Sequence, residues 1–281
     1  MKFDFAVSPL HEARVAIVGL PLDRSSSFIP GTRFGPDAAR IGSANIESFS
    51  PYLKRDAAEL AICDDGNVGL SFATPQTPLD EIRGAVGGHY DAGRKLISVG
   101  GEHTVTPAVI SELAGRYPDL CVIQFDAHSD LRGDFLGEKW AHATAIARTL
   151  DYVPRANVFQ LGIRSFWRGE EMEQAGVFPF DVLAPMPTVC AEIGTRPIYV
   201  TLDVDVLDPS VLPDVQTPQP GGVGYRELVS ALAELSGRNV IGADVVEFCP
   251  RGPHPSAGAP LVAELVRELA IILGQQAKCE A

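Results

Sequence analysis

Six short stretches of the chain, residues 14–19, 95–99, 120–125, 157–161, 197–202 and 239–246, are apolar almost without interruption. A strand with one face in water alternates apolar and polar residues, whereas a strand covered on both faces does not. These stretches therefore predict buried strands. Helical segments are expected around 36–47, 77–93, 104–116, 141–151, 168–175, 224–236 and 257–274. Strand and helix in regular succession predict βα units, a mainly parallel sheet and helices on both of its faces. The expected fold class is α/β, with three layers α/β/α. No Gly/Ser linker, shift in composition or internal repeat divides the chain, so a single domain over 1–281 is the economical expectation. Two long loops break the rhythm, one from 129 to about 140 and one from about 204 to 224, the second dense in Pro and Gly. Loops of that length in a compact domain tend to be functional.

Composition narrows the partners rather than the fold. Hydrophobic residues make up 46% and charged residues 21%, an ordinary globular balance that excludes disorder as the main state. The formal net charge is −13 and no Lys/Arg-rich run occurs, so neither nucleic acid nor an anionic membrane surface is an expected partner. A cationic small molecule or bound metal ions would suit the acidic balance. Five cysteines (Cys63, Cys121, Cys190, Cys249 and Cys279) are odd in number and widely spaced, which reads as free thiols in a reducing compartment. The first residues, Met1-Lys2-Phe3-Asp4-Phe5, lack the apolar stretch of a signal peptide, and no run approaches the roughly 20 apolar residues that span a bilayer. A cytoplasmic location is the expectation.

Polar residues cluster where the apolar runs stop. His103 follows the run ending at Val99; Asp126, His128 and Asp130 follow Phe125; Asp203 and Asp205 follow Leu202; Glu247 follows Val246. Four strands thus end in acids or histidines on their C-terminal side, the edge where open α/β sheets bind ligands. Residues at i, i+2 and i+4 of an extended chain point the same way, so Asp126, His128 and Asp130 would converge, as would Asp203 and Asp205. Four carboxylates in a partly dry cleft repel one another by several kcal/mol unless neutralised. Two divalent cations would balance them, with His103 and His128 as neutral ligands and bridging carboxylates holding the ions about 3.5–4 Å apart. Taken singly, Asp-x-Asp is usually a turn or cap, and a histidine after two glycines, as His103 is, more often a structural residue. The three clusters together favour metal. His11, His89 and His254 have no such pattern and read as surface or structural residues, while Trp140 and Trp167 read as packing residues.

Several motifs also carry a resemblance. Gly100-Gly101-Glu102-His103, Asp126-Ala127-His128-Ser129-Asp130, the segment from Thr201 to Pro209 containing Asp203-Val204-Asp205, and Asp244-Val245-Val246-Glu247 resemble the ureohydrolase family of arginases and agmatinases. The likeness extends upstream to Pro30-Gly31-Thr32-Arg33-Phe34-Gly35-Pro36. It implies an arginase-like fold and two metal ions, usually manganese. One would be held by His103, Asp126, Asp130 and Asp203, the other by Asp126, His128, Asp203 and Asp205. It further implies attack by a bridging hydroxide on a guanidinium carbon, releasing urea and an amine. Glu247 matches the carboxylate that grips the guanidinium, and His142 the proton-shuttling histidine; Asp130 is placed among the catalytic residues as well as the ligands. A homo-oligomer, trimer or hexamer, is implied too.

Residues 131–139 lack the Asn- and Ser/Thr-rich loop with which arginases hold an amino-acid head group, and Gly162-Ile163-Arg164-Ser165 is similar to the agmatinase version of its region. The resemblance thus implies agmatine or a related guanidino-amine as substrate. Val215-Gln216-Thr217-Pro218-Gln219 departs from the family's Thr-Gly-Thr-Pro-Glu, which places Gln216 and Thr217 at the substrate and leaves the effect of Gln216 and Gln219 open. An arginase, a guanidino-acid hydrolase, a formiminoglutamase-like or polyamine-deacetylase-like enzyme and a non-catalytic assembly partner remain as alternatives. A zinc deacetylase would want a His-His pair, which the sequence lacks.

Overall fold

The computed structural model describes residues 1–168, 174–251 and 256–275. Along the chain come β1 (Val15–Leu20), α1 (Gly35–Ser43), a two-stranded ribbon of β2 (Phe49–Ser50) and β3 (Arg55–Asp56), and β4 (Ile62–Asn67). Then follow α2 (Thr77–Asp91), β5 (Lys95–Gly100), α3 (Val105–Leu113), β6 (Cys121–Phe125), α4 (Ala145–Thr149), β7 (Val158–Ile163) and β8 (Val177–Pro179). The chain continues through α5 (Met186–Ile193), β9 (Ile198–Asp203), α6 (Tyr225–Ala233), β10 (Val240–Val246) and α7 (Ala259–Gln275). Eight strands form one sheet in the order β4-β1-β5-β10-β9-β6-β7-β8, every neighbouring pair parallel.

The uninterrupted apolar runs have a direct cause. Alternate residues of each strand feed different cores: Val15 and Ile17 of β1, with Ile198, Val200 and Leu202 of β9, pack under α1, α5, α6 and α7. Ala16 and Val18 of β1, with Val122 of β6 and Tyr199 of β9, pack under α2, α3 and α4. Both faces are dry, so both sets must be apolar. The three-layer α/β/α expectation holds.

Topology then assembles the site. β5 and β6 are joined through α3 on one face, while β9 and β10, joined through α6 on the other, fill the two places between them. The loops that follow these four strands leave in opposite directions, which opens a crevice at the C-terminal edge. The four strands whose ends carry His103, Asp126–Asp130, Asp203–Asp205 and Glu247 are β5, β6, β9 and β10, and they are consecutive in the sheet.

Three elements escape the hydrophobic pattern. β4 and β8 are the edge strands, and β4 reads Ile-Cys-Asp-Asp-Gly-Asn, with buried Asp64 paired to Arg40 rather than to an apolar neighbour. α5 opens with prolines that read as breakers, yet proline is tolerated in a first helical turn, where its missing N–H has no partner anyway. The expected helix over 168–175 falls mainly on residues outside those described, as do His254 and Cys279. The 129–140 loop closes on a Phe135–Glu138 bridge. The 204–224 loop is fastened by Arg164, whose guanidinium donates to the carbonyls of Asp205, Val206, Gln219 and Pro220.

Candidate metal centre and active site

The six predicted ligands meet at the crevice. His103 Nδ1 lies 3.2 Å from Asp126 Oδ2, 3.0 Å from Asp130 Oδ2 and 3.4 Å from Asp203 Oδ2. His128 Nδ1 lies 2.8 Å from Asp205 Oδ2 and 3.7 Å from Asp126 Oδ1. Two sets result, His103–Asp126–Asp203 and Asp126–His128–Asp205, with the ligand atoms of each within 4.8 Å of one another. Asp126 belongs to both. Asp130 joins neither set, but its carboxylate stands beside His103 and lines the cavity.

The local backbone is made for this convergence. A side chain at Gly101 would collide with the Leu22 carbonyl, so the turn that delivers His103 requires glycine there. Asp130 and Glu247 both sit at positive φ, 53° and 67°. Non-glycine residues adopt this region at a cost, and it recurs where a site must aim a side chain.

Beneath these residues runs a polar row of which only Thr201 and Asp244 stand in the motifs. Strand pairing aligns Ser98, Asp244, Thr201, Gln124 and Gln160 across β5, β10, β9, β6 and β7. Gln160 Nε2 donates to Gln124 Oε1 at 2.7 Å, and Gln124 Nε2 donates to Asp126 Oδ2 at 2.6 Å. His103 Nε2 faces the Thr201 hydroxyl at 2.9 Å, which turns Nδ1 toward the carboxylates. This is the arrangement by which second residues orient metal ligands. A polar residue inside each of several apolar runs was the available signal.

The electrostatics are unresolved by protein groups alone. Burial and the neighbouring Asp205 and Asp126 carboxylates push Asp203 well above the usual carboxylate range, and burial with Asp126 pushes Asp130 up to about 6. Burial also works against ionised Asp126, but contacts to His103 and His128 outweigh it and hold that carboxyl low. Burial opposes charge on His103 and His128, and their carboxylate partners drive both well above the ordinary histidine value. His103 Nδ1 and Asp205 Oδ2 are nonetheless buried without a hydrogen-bond partner. Orphaned buried donors and acceptors are rare and demand a reason. The residues fit divalent metal: nitrogen and oxygen ligands, no thiol, and one unpartnered atom in each of the two ligand sets.

Beside them lies a cavity of about 210 Å³. Thr217, Glu247 and His142 line it, with Ser27, Arg132, Phe135, Trp167 and Gln219. Glu247 is buried; His103 N donates to its Oε1 at 2.7 Å and Gln216 Nε2 to its Oε2 at 2.7 Å. Burial raises its pKa to about 8. Gln216, expected at the substrate, is fully buried and does not line the cavity; its Oε1 accepts from Ser27 N at 2.8 Å. It joins the Glu247 carboxylate to the opposite wall. Trp167, expected to pack, is 54% exposed at the cavity rim, where Arg132 lies over its ring and that of Phe135. Trp140 does pack, half-buried against the α2–α3 core. His11 is exposed beside Glu12, and His89 is buried near Asp65, both away from the cavity.

Known proteins match this architecture. The arginase family model matches residues 13–272. An agmatinase of Bacillus subtilis is 39% identical over 285 aligned positions, covering 96% of this chain and 98% of that protein. An N(1)-aminopropylagmatine ureohydrolase of Thermus thermophilus is 32% identical, covering 87% and 86%. The crystal structure of a putative agmatinase from Clostridium difficile superposes with a TM-score of 0.90 at 31% identity, covering 96% of this chain and all of that one. By length of match, by identity and by fold, this chain belongs to the arginase family.

Proposed function

We propose that this protein is a ureohydrolase with a binuclear metal centre, cleaving the guanidino group of agmatine or a related guanidino-amine to urea and an amine. The observation that carries the reading is the pair of buried ligand sets sharing Asp126, set beside the Glu247 carboxylate in one cavity. Agmatinases and an aminopropylagmatine ureohydrolase among the relatives support the substrate class. His103, Asp126, Asp130, Asp203, His128 and Asp205 would hold two manganese ions, a metal suited to ligands rich in oxygen and free of thiol. Bound there, the ions supply Lewis acidity and a water acidic enough to ionise near neutral pH.

The chain's own residues do the rest. Glu247, aimed by His103 N and Gln216, accepts the guanidinium N–H groups through charge-assisted hydrogen bonds. Thr217 stands in the cavity wall. His142, whose pKa burial and the positive His128 and His103 lower to about 4, rests neutral and can take up a proton during the reaction. Metal analysis together with urea release from manganese-loaded protein tests the reading: about two ions per chain and urea from agmatine are expected.

One observation favours a second reading. Among the described residues lining the cavity, the acids all belong to the inner end and the charge at the rim is Arg132. A cation there would suit a guanidino acid, whose far end is a carboxylate. A panel containing agmatine, arginine and 4-guanidinobutyrate separates the two. A homo-oligomeric state, a single domain over 1–281 and a cytoplasmic location complete the proposal. Supporting it, Cys63, Cys121, Cys190 and Cys249 are buried free thiols, and no helix among the described residues is long and apolar enough to cross a membrane.

A further inference from the structure

Ser27, which lines the cavity, stands on a loop around residues 23–28 that belongs to no motif. Its hydrogen bonds fix more than its own path. Four donors converge on the buried Glu102 carboxylate: Arg24 N and Ser25 N on Oε2, each at 2.6 Å, and the hydroxyls of Ser25 (2.9 Å) and Thr104 (2.7 Å) on Oε1. A carboxylate accepting four such bonds has no proton to give, so the single hydroxyl hydrogen of Ser25 points at Glu102. Ser25 Oγ also accepts the backbone N–H of His142 at 2.9 Å. Toward His142 Nδ1, 3.2 Å away, it therefore offers only a lone pair, and Nδ1 must be the donor. A neutral imidazole carries one N–H, which leaves Nε2 bare. The Ser27 hydroxyl lies 3.0 Å from Nε2. Both ring nitrogens are occupied, and the residue whose hydroxyl meets Nε2, Ser27, lines the cavity beside His142.

We propose that Ser27 is a catalytic residue, its hydroxyl carrying protons between the reacting atoms and His142 Nε2, with Ser25 and Glu102 as positioning residues that hold the ring in its Nδ1–H form. This rests on the hydrolytic reading above. The proton leaving the attacking oxygen joins Ser27 Oγ as the Ser27 proton passes to Nε2. The imidazolium then returns its Nε2 proton to Ser27 Oγ as the Ser27 proton goes to the departing nitrogen, whose bond to the guanidinium carbon breaks. Serine and ring finish as they began, and one proton has moved from water to amine. The low pKa of His142 is consistent with a ring that starts as an acceptor.

The test pairs kinetics with a spectroscopic measurement. Ser27→Ala removes the hydroxyl but keeps the backbone N–H that Gln216 accepts. It should lower kcat by about 100-fold, the scale of a lost proton-transfer group, with KM within about threefold and metal content unchanged. Ser27→Thr restores the hydroxyl and should recover most of the rate. Nitrogen-15 NMR of the chain without added metal should place the His142 ring proton on Nδ1, and Ser25→Ala should release that preference. A kcat within about threefold of wild type in Ser27→Ala, failure of Ser27→Thr to rescue, or a ring proton on Nε2 in the wild type would each overturn the proposal. Wild-type protein that releases urea from no guanidino compound removes the hydrolytic reading and this role with it; active wild type with an equally active Ser27→Ala removes the role of Ser27 alone.

Discussion

At the floor of the cavity, Asp126, Asp203 and Asp205 are buried and each is held by a donor: Gln124 on Asp126, the Asp205 N–H on Asp203, the Ala127 N–H on Asp205. At the rim, Arg132 rests on the faces of Phe135 and Trp167, and the adjacent turn ends in Leu136, 92% exposed. The floor is assembled from four consecutive central strands and the rim from loops. The difference separates two questions. On the reading proposed above, the floor would meet the guanidinium end that the candidate substrates share and so set the reaction, while the rim would meet the other end and so set the choice among guanidino compounds.

The sharpest way to break the comparison is at the floor. Asp126→Ala or Asp203→Ala should abolish urea release and lower bound metal together, because each takes a carboxylate from a set with no spare ligand. Metal analysis alongside the assay checks this; retained metal with lost activity would mean that these acids do another job. Glu247→Gln keeps shape and loses charge. It should cost about 2–4 kcal/mol in kcat/KM with metal content unchanged, the scale of a buried charged hydrogen bond.

A change in pH probes the wall between floor and rim. Burial, aided by the positive His128 and His103, lowers His142 to about 4, so the folded chain favours the neutral ring. The stability this contributes is present above the unfolded value near 6.5 and is lost as pH falls through the interval down to about 4. In metal-free protein the stability difference between wild type and His142→Asn should therefore shift by about 2 kcal/mol against the wild type from pH 7 to pH 5. Urea denaturation at the two pH values measures it. A difference independent of pH would place His142 in solvent.

The smallest effect belongs to the rim. If a cation is the substrate's far end, Arg132→Ala removes a repulsion across a partly solvated gap and should raise kcat/KM for agmatine a few-fold, under about 1 kcal/mol. A large loss on 4-guanidinobutyrate with no gain on agmatine would instead favour the guanidino-acid reading.

The same division governs what the sequence alone discloses. The central strands were legible because both of their faces are dry, and the acids and histidines that meet at the crevice because they stand directly where the apolar runs stop. The edge strand β4 was not, since its buried Asp64 is satisfied by Arg40, a partner 24 residues earlier in the chain. Gln124 and Gln160 stood in view as polar residues in apolar runs, but their register, which makes them one row, is a property of the sheet. Gln216 illustrates the limit at a motif: its position was readable, whereas its burial and its bond to Glu247 depend on the loop bearing Ser27. Ser25, Ser27 and Trp167 carried no pattern at all, because the loops that hold them are placed by contacts remote in sequence.

The most direct test is initial-rate urea release by manganese-loaded protein from agmatine, arginine and 4-guanidinobutyrate under one set of conditions. Agmatine or a longer guanidino-amine should lead arginine by at least about tenfold in kcat/KM, a difference of about 1.4 kcal/mol. Arginine turned over as well as the best amine would contradict the assignment of substrate, and no urea from any of them would contradict the assignment of the reaction.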